Sequence, residues 1–533
     1  MSEGTNNSRD SALQQRSEHE LLELKFELDE CCQSESLSEE GLREIIERHG
    51  LTPNHYDSDV GDNKFFYEAC RNERVNEGII RYLLEYFPDA ASVTVDGDGW
   101  LSLHAACDNK NVTKGIIEIL IEASPDSVRS VDFFDDMPLH NLCDNRNLDE
   151  TAAIEILELL LEKHPEAVRH VDSYGVLPIH IAACELKSPE FCRVLIEAYP
   201  GSERITDDKD ALPLHYACFS RNFGTVKYLY NLFPNAIHHA RRTDGFYPIH
   251  TAINGASKID DNLNIAHAAA EIVTFLLDCD PSVKLQRCKG KSLLDYACDP
   301  ELHDHAALAV IEVIYDAHPE AIEDNGIADV QDYHLHVQAF IDRELVYARQ
   351  AKDHRMITTP DENGQLPLHK ALQNNARLGS VKLLMKGNPN ALQSADNRGR
   401  LPFHVACQHH DSATMIEYLV GLDPSTLDAV DRDGDTVLHL ACHYARYDIT
   451  SLLLDEFDAV SVSKRNAGEK LPIDLLWDSN EVEDRKGIEY TESVYRLIRA
   501  NPERIMDISV QTMQSSASAS LPCENGKKRK LGQ

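Results

Sequence analysis

The chain has 533 residues and a formal net charge of −38, with 52 Lys and Arg against 90 Asp and Glu. Nucleic-acid binding depends on cationic neutralisation of phosphates, so we expect no direct binding of DNA or RNA. Hydrophobic residues make up 42% of the chain, enough for a folded protein, yet no apolar run of about 18 residues indicates a membrane span.

The first part of the chain is polar and then helical. Residues 1–17 are polar and typical of disorder. Glu18–Cys32 and Glu39–His49 are predicted helices, and Ser36 with the first residue of the second helix fits a capping box. We interpret residues 18–62 as a helical cap that covers the first apolar face of the array that follows. A small independent binding domain is the alternative.

From residue 63 onward one short pattern recurs: leucine, proline, a branched aliphatic residue, histidine, any residue, alanine and cysteine. Leu212–Cys218 and Leu401–Cys407 are the plainest copies, and within the two blocks the histidine recurs at steps of 35 to 40 residues. Such a period predicts stacked repeats that cannot bury their apolar faces alone. We interpret the histidine as a scaffold residue that bonds the loop backbone. It is present as His104, His140, His180, His215, His250, His369, His404 and His439, and is replaced by Tyr67, Asp295 and Asp474.

One repeat shows the predicted local structure. Asp396–Gly399 forms a turn in which Gly399 can take a positive φ. Pro402 suits the first turn of a helix, where its missing N–H costs nothing. Met415–Val420 has the apolar spacing of a second helix, which Pro424 ends.

This pattern resembles the ankyrin repeat, whose motif carries Thr-Pro-Leu-His followed by alanine. The resemblance covers residues 63–502 and implies an all-α helix-turn-helix solenoid with short hairpin loops. The sequence departs from the family in two ways: leucine mostly replaces the capping threonine, and proline rather than glycine closes most second helices. The missing hydroxyl cap would weaken each repeat by about 1 kcal/mol unless histidine or leucine packing compensates.

The repeats fall into two blocks. Residues 63–319 hold about seven repeats and residues 361–502 about four. Between them, residues 320–360 form either a degenerate repeat or a long helix, and the pattern leaves both open. Residues 503–533 are rich in Ser and Ala near their start and are predicted to be unstructured.

The resemblance implies binding of a partner protein through the hairpin tips and the concave face of the first helices. In an extended hairpin, the residues four and six before the histidine share a face. Aromatic residues and arginines most often anchor interfaces, although each could instead pack on its own hairpin. Acidic tips would favour a basic segment on that partner. The candidate binding residues are Trp100, Phe134, Tyr174, Phe246, Arg398 and Arg400.

The sequence favours neither metal binding nor catalysis. The His-x-Ala-Cys pattern could place two zinc ligands on one helix face, but its recurrence in every layer suits packing better. The sequence has no glycine-rich phosphate loop, nucleophile elbow or kinase motif, so we predict a non-enzymatic scaffold or adaptor without metal or cofactor. The alternatives are an inhibitory regulatory subunit of an enzyme and a membrane-adjacent adaptor. The pattern specifies no oligomeric state.

Cysteine usage and a basic cluster bear on location. Seven cysteines share one repeat position, where cysteine acts as a small apolar filler, and reduced thiols indicate an intracellular protein. Lys527, Lys528, Arg529 and Lys530 form a basic run that fits a nuclear import signal, with a solvated charged terminus as the alternative. We therefore expect a cytoplasmic location, a nuclear location, or both.

Overall fold

The structure, a computed structural model, is built from short helices that follow one another in pairs. It divides into two compact bodies, the N-terminal body (Met1–Ile314) and the C-terminal body (Tyr315–Gln533), and the division falls within the helix Asp304–Ala317. The residues that it describes are 18–53, 64–95, 99–255, 263–298, 304–323, 335–456, 461–478 and 488–500.

The N-terminal body begins with two helices and continues as stacked helix pairs. Ser38, rather than the predicted Ser36, caps the second helix, because its side chain accepts the Gly41 N–H at 3.2 Å. The helices are α1 (Glu18–Gln33), α2 (Glu39–Arg48), α3 (Lys64–Arg71), α4 (Glu77–Tyr86), α5 (Ser102–Asp108), α6 (Lys114–Ala123), α7 (Pro138–Asp144), α8 (Glu150–Lys163), α9 (Pro178–Cys184), α10 (Pro189–Ala198), α11 (Pro213–Ser220), α12 (Phe223–Leu232), α13 (Pro248–Gly255), α14 (Leu263–Cys279), α15 (Leu293–Ala297) and α16 (Asp304–Ala317).

The C-terminal body repeats the same pairing after a longer helix. That helix, α17, packs against α20 and against the short turn Pro319–Glu323. The helices are α17 (Leu335–Lys352), α18 (His354–Thr358), α19 (Pro367–Gln373), α20 (Leu378–Gly387), α21 (Pro402–His409), α22 (Ala413–Leu422), α23 (Val437–His443), α24 (Tyr447–Glu456), α25 (Pro472–Asp478) and α26 (Ile488–Ala500).

Most second helices are followed by a short 3-10 turn that begins with proline. Proline ends the helix and suits the first position of the new turn, where its missing N–H has no partner to lose. The chain then returns in an extended conformation to the next hairpin. The turns that begin with proline are Pro88–Ser92, Pro125–Arg129, Pro165–Arg169, Pro234–His238, Pro281–Leu285, Pro319–Glu323, Pro389–Gln393 and Pro424–Asp428, while Ser202–Arg204 and Ser461–Ser463 begin with serine.

Layers stack helix on helix. In the N-terminal body, the first helices α5, α7, α9, α11 and α13 pack each on the next, and the second helices α6, α8, α10 and α12 do the same. The recurring alanine lies where neighbouring first helices meet, and Ala182, Ala217 and Ala406 are fully buried there. A small side chain allows this close approach. The predicted all-α stack of helix pairs is confirmed, and within the described residues β-pairing is limited to isolated bridges.

A buried polar network anchors α17 within the C-terminal body. The Tyr315 hydroxyl lies 2.8 Å from Ser380 Oγ. The Ser380 hydroxyl in turn donates to Glu344, which is fully buried on α17. Arg343 Nε donates to the other Glu344 oxygen at 2.7 Å. Gly379 makes room for the Tyr315 ring, since a Cβ there would lie 2.8 Å from the ring edge. The division of the chain at residues 320–360 stays a prediction.

Candidate protein-binding surface

Each regular hairpin is closed by an aspartate or asparagine at its first position. In the hairpin that starts at Asp172, its Oδ1 accepts the N–H groups of Tyr174 at 2.8 Å and Val176 at 2.7 Å. The fourth residue takes a positive φ, 74° at Gly175. This side chain mimics a backbone turn and fixes the tip in one conformation. The same first residue recurs as Asp132, Asp207, Asp361, Asp396, Asp431 and Asn466.

Successive hairpin tips are joined by main-chain hydrogen bonds. The Ser173 N–H donates to the Phe134 carbonyl at 2.8 Å, and the Asp208 N–H donates to the Tyr174 carbonyl at 3.1 Å. In the C-terminal body, Arg432 donates in the same way to Arg398 at 3.0 Å. Because the main chain is held on both sides, the tip side chains stand in a fixed row along each body.

The repeat histidine bonds its own helix start to the next layer. His215 Nδ1 accepts the Leu212 N–H at 3.1 Å, so the ring proton lies on Nε2, which donates to the Phe246 carbonyl at 3.2 Å. The Leu212 carbonyl accepts the His215 N–H at 2.9 Å, which satisfies the helix start without a hydroxyl cap. His104, His180, His369, His404 and His439 make the same Nδ1 bond and also place Nε2 on a carbonyl of the next layer. For His180 and His404 that carbonyl belongs to Ile205 or Ala429, just before the hairpin.

Two histidines depart from this arrangement. His140 Nδ1 accepts the Met137 N–H at 3.1 Å, while its Nε2 meets no acceptor with hydrogen-bond geometry among the described residues. Neither ring nitrogen of His250 has such a partner in the described part of the chain. Its ring lies instead against Phe246 and Tyr296, with centroids 5.8 and 5.2 Å away.

Burial keeps the repeat histidines neutral. Loss of solvent lowers the pKa of His140, His180 and His250 to about 4, and that of His215 to about 3. The pKa of His104, His369, His404 and His439 is also lowered, again mainly by burial. A neutral ring with one donor and one acceptor is the form that the two hydrogen bonds require.

Where aspartate replaces the repeat histidine, it still accepts the N–H group at the helix start. Asp295 Oδ2 accepts the Ser292 N–H at 2.6 Å, and Asp474 Oδ2 accepts the Leu471 N–H at 3.0 Å. A carboxylate has no proton to donate to the following layer. Substitution at these two repeats therefore preserves the bond at the helix start.

The predicted aromatic residues differ in exposure. Phe134 and Tyr174 lie on adjacent tips and are 44% and 55% exposed. Trp100 is partly buried and meets the Tyr67 ring edge-on at 6.3 Å. Phe246 is also partly buried, with its ring 5.4 Å from that of Tyr296. Of these four residues, only Phe134 and Tyr174 are classed as exposed.

The two predicted arginines also differ. Arg398 is exposed at its tip. Arg400 is engaged within its own hairpin: Nε and Nη2 donate to Asp396 Oδ2 at 3.0 and 2.8 Å, and Nη1 donates to Gln408 at 2.8 Å. Its side chain is 12% exposed. The geometry thus places Phe134 and Tyr174 on adjacent tips and commits Arg400 to an internal ion pair.

Two exposed apolar residues next to Phe134 and Tyr174 were not predicted from the sequence. Phe133 is 73% exposed and its ring lies 5.5 Å from that of Phe134, and Val171 is 43% exposed beside the next tip. The sequence did hold a signal, since a pair of phenylalanines between aspartates at a turn has no core to enter. We call Phe133, Phe134, Val171 and Tyr174 the tip cluster.

The acidic tips are less available than their number suggests. Asp132 and Asp207 are buried and each uses one oxygen to close its own turn. Asp431 closes its hairpin in the same way. Asp135 and Asp433 remain exposed. Part of the acidity from which a basic partner was predicted therefore belongs to turn formation.

Other predicted features are outside this surface. Lys527, Lys528, Arg529 and Lys530 lie outside the described residues. No helix in the described ranges is both long and apolar enough to cross a membrane. Within those same ranges, no group of three or more His, Cys, Asp or Glu side chains is arranged to hold a metal ion.

Comparison with known proteins agrees with the stacked architecture. The family model for ankyrin repeats matches three stretches, residues 139–243, 326–428 and 368–466. No curated protein matches the chain. Ankyrin repeats are in general protein-interaction modules and are typically not enzymes. The matched stretches, the helix pairs and the recurrent hairpins together show that the chain is an ankyrin-repeat protein.

Proposed function

We propose that the chain binds a partner protein through the tip cluster. The observation that carries this is the exposure of three aromatic rings on two adjacent tips, 73% at Phe133, 44% at Phe134 and 55% at Tyr174. Contiguous exposed apolar surface with a polar rim marks interaction sites in folded proteins. Aromatic residues are also the side chains that most often dominate binding energy.

Rigidity makes the cluster suited to binding. The Phe134 and Tyr174 carbonyls are held by the next tips, and Asp132 and Asp172 close the two turns. A preorganised surface gives up little conformational entropy on association. Roughly 100 Å² of each aromatic side chain remains to be covered, which is worth about 2.5 kcal/mol per ring before association costs.

The same proposal covers the role of the molecule. A scaffold or adaptor role requires binding alone, whereas an inhibitory subunit would in addition suppress the activity of the enzyme that it covers. Trp100 and Phe246 would add their partly exposed rings on other hairpins of the N-terminal body, and Arg398 is a separate candidate contact in the C-terminal body, whereas Arg400 is paired with Asp396 and is not part of the surface. We assign the chain no catalytic step. The basic run Lys527–Lys530 would direct the protein to the nucleus. Deleting this run should lower the fraction of the protein found in the nucleus.

The test replaces the exposed rings. Full-length protein with Phe134→Ser and Tyr174→Ser should lose at least about tenfold in capture of proteins identified by proximity labelling with the wild type, because both rings would be buried in the complex. Val430→Ser is the matched control: Val430 is 45% exposed at the position of Val171 in its own repeat. Unchanged capture by the double variant, with the fold intact by circular dichroism, would refute the proposal.

A further inference from the structure

Three buried oxygen atoms at one hairpin have no hydrogen-bond partner among the described residues. They are Asp132 Oδ2, Asp136 Oδ1 and Asn141 Oδ1. Asp132 is only 6% exposed, so its second oxygen is shielded from solvent. A buried carboxylate oxygen without a donor costs about 1–3 kcal/mol or more. Such an atom in a folded protein needs a reason.

Other hairpins of this chain satisfy the equivalent oxygen internally. Asp207 Oδ2 accepts the Tyr216 hydroxyl at 2.7 Å. Asp361 Oδ2 lies 3.0 Å from the ammonium of Lys370. Each donor, Tyr216 or Lys370, is the residue after the repeat histidine. In the hairpin that starts at Asp132, the residue after the repeat histidine is Asn141, and it does not donate to Asp132 Oδ2.

The strongest internal example uses the fifth hairpin residue. Arg400 donates to Asp396 Oδ2 through Nε and Nη2, at 3.0 and 2.8 Å. In the hairpin that starts at Asp132, the residue equivalent to Arg400 is Asp136, so a second carboxylate occupies the position of the arginine. The cation is thus replaced by a charge of the opposite sign.

The next layer does not relieve Asp136 either. Its equivalent Asp435 accepts the Asn466 Nδ2 at 2.7 Å from the following hairpin. At Asp136 the following hairpin begins with Asp172, which can only accept. Burial first, and then the charges of Asp132 and Asp172, raise the pKa of Asp136 to about 7. With Asp136 ionised, the hairpin therefore has acceptors on three sides, and the neighbouring Asn141 amide makes no hydrogen bond to Asp132 Oδ2 or Asp136 Oδ1.

We propose that this hairpin binds the guanidinium of an arginine supplied by the partner protein, in the place that Arg400 fills in its own hairpin. Because the three oxygens are covered in the unbound chain, the carboxylate of the partly exposed Asp136 would turn outward to admit the guanidinium. The inference rests on the proposed function, because the tip cluster flanks the same hairpin. A planar guanidinium offers five donors to these oxygens and stacks on aromatic faces such as Phe134 and Tyr174. An arginine beside apolar residues would engage the carboxylates and the rings together.

The first test uses defined peptides on the full-length protein. A capped hexa-arginine peptide is titrated by fluorescence anisotropy at about 0.15 M salt, where exposed charges are screened beyond about 8 Å. Asp132→Asn should weaken binding about tenfold, because a charge-assisted pair is lost. The fold should survive, since Asn466 closes its own hairpin with the same two bonds, at 3.0 and 2.9 Å.

Asp431→Asn is the matched control, since it makes the same substitution at the first position of another hairpin. It should change hexa-arginine binding by less than about twofold, as expected for a screened charge. Equal losses in Asp132→Asn and Asp431→Asn would mean that the peptide follows net charge alone, and would overturn the proposal. Capped hexa-citrulline should not bind, and equal affinity for hexa-lysine would overturn the assignment to arginine.

The second test fills the site from within and needs no peptide. Asn141→Lys places an ammonium where Lys370 stands in its hairpin. It should raise the melting temperature by a few degrees and weaken hexa-arginine binding about tenfold, because the oxygens gain an internal donor. Asp132→Asn should cancel the thermal gain. A gain equal to that of Asn147→Lys, at an exposed position, would contradict a defined site.

The two proposals fail in different ways. If Phe134→Ser with Tyr174→Ser abolishes partner capture while Asp132→Asn and Asn141→Lys leave it unchanged, the tip cluster binds the partner and the arginine site is wrong. If none of these variants alters capture, the proposed function itself is wrong.

Discussion

Acidification should destabilise the N-terminal body through its buried histidines. His140, His180 and His250 have a pKa lowered to about 4 by burial, and His215 a pKa lowered to about 3. Above the unfolded pKa of about 6.5 these rings are neutral in both states. Below a pH of about 6.5 the histidines of the unfolded chain bind protons, whereas the buried rings of the folded protein stay neutral. The free energy of unfolding therefore decreases as the pH falls towards the folded pKa.

The magnitude follows from linkage. A histidine with a pKa of about 6.5 unfolded and about 4 folded loses about 2 kcal/mol of unfolding free energy between pH 7 and pH 5. Asp136 acts in the opposite sense: burial raises its folded pKa to about 7. Its protonation returns about 1–2 kcal/mol over the same interval, with allowance for partial exposure. Taken alone, the four histidines and Asp136 give a net loss of about 6 kcal/mol, comparable to the whole stability of many domains. Burial also raises the pKa of Asp108 and Asp144, and their protonation reduces this loss.

His180→Gln isolates one of these contributions. His180 is fully buried and bonds Leu177 and Ile205 at 3.1 Å each. Urea unfolding of wild type and variant is compared at pH 7 and pH 5 by circular dichroism, with hydrogen exchange of α9 as a local readout. Whatever its stability at pH 7, the variant should lose about 2 kcal/mol less on acidification than the wild type.

The comparison removes the competing effect of net charge. Neutralising carboxylates in a chain of charge −38 relieves repulsion and raises stability, but it does so equally in wild type and variant. His443→Gln, the same substitution at an exposed position, serves as the control. Equal losses in wild type and His180→Gln would refute the view that the repeat histidine is held neutral.

Two further predictions concern packing and thiol chemistry. Gly379→Ala should lower the unfolding free energy by about 1–3 kcal/mol, since its Cβ would lie 2.8 Å from the Tyr315 ring. Gly421→Ala, whose Cβ would meet nothing within 4 Å in α22, should instead raise it by up to about 1 kcal/mol in the same urea titration. Burial raises the pKa of the Cys218 thiol, so iodoacetamide followed by peptide mass spectrometry should modify Cys218 only in denatured protein, and native labelling would contradict its position.

The stacked fold could be predicted because its signals are local and recur in every repeat. Pro213 at a helix start and Ala217 at a close approach each depend on a few neighbouring residues. The loss of threonine at Leu212 raised the question of what completes the helix start. His215 answers it by accepting the Leu212 N–H, a bond that the sequence could suggest as compensation but not locate.

The binding surface could be predicted only in part, because exposure at the tips depends on contacts between layers. Phe134 and Tyr174 were found from their hairpin positions, whereas Arg400 turned out to be paired with Asp396 in its own hairpin. The missing donor at Asp132 appears only when equivalent hairpins are compared atom by atom. A sequence pattern gives residue types at each position, and hydrogen-bond balance is a property of three-dimensional neighbours.

Photo-crosslinking at Phe133 tests the central claim most directly. Full-length protein carrying benzoyl-phenylalanine at this position, which is 73% exposed, is irradiated in the cell, and the crosslinked peptides are sequenced. We predict a protein adduct whose crosslinked segment contains an arginine and which is lost in Asp132→Asn. No protein adduct at Phe133, or the same adducts from a probe at Val430, would contradict binding at the tip cluster.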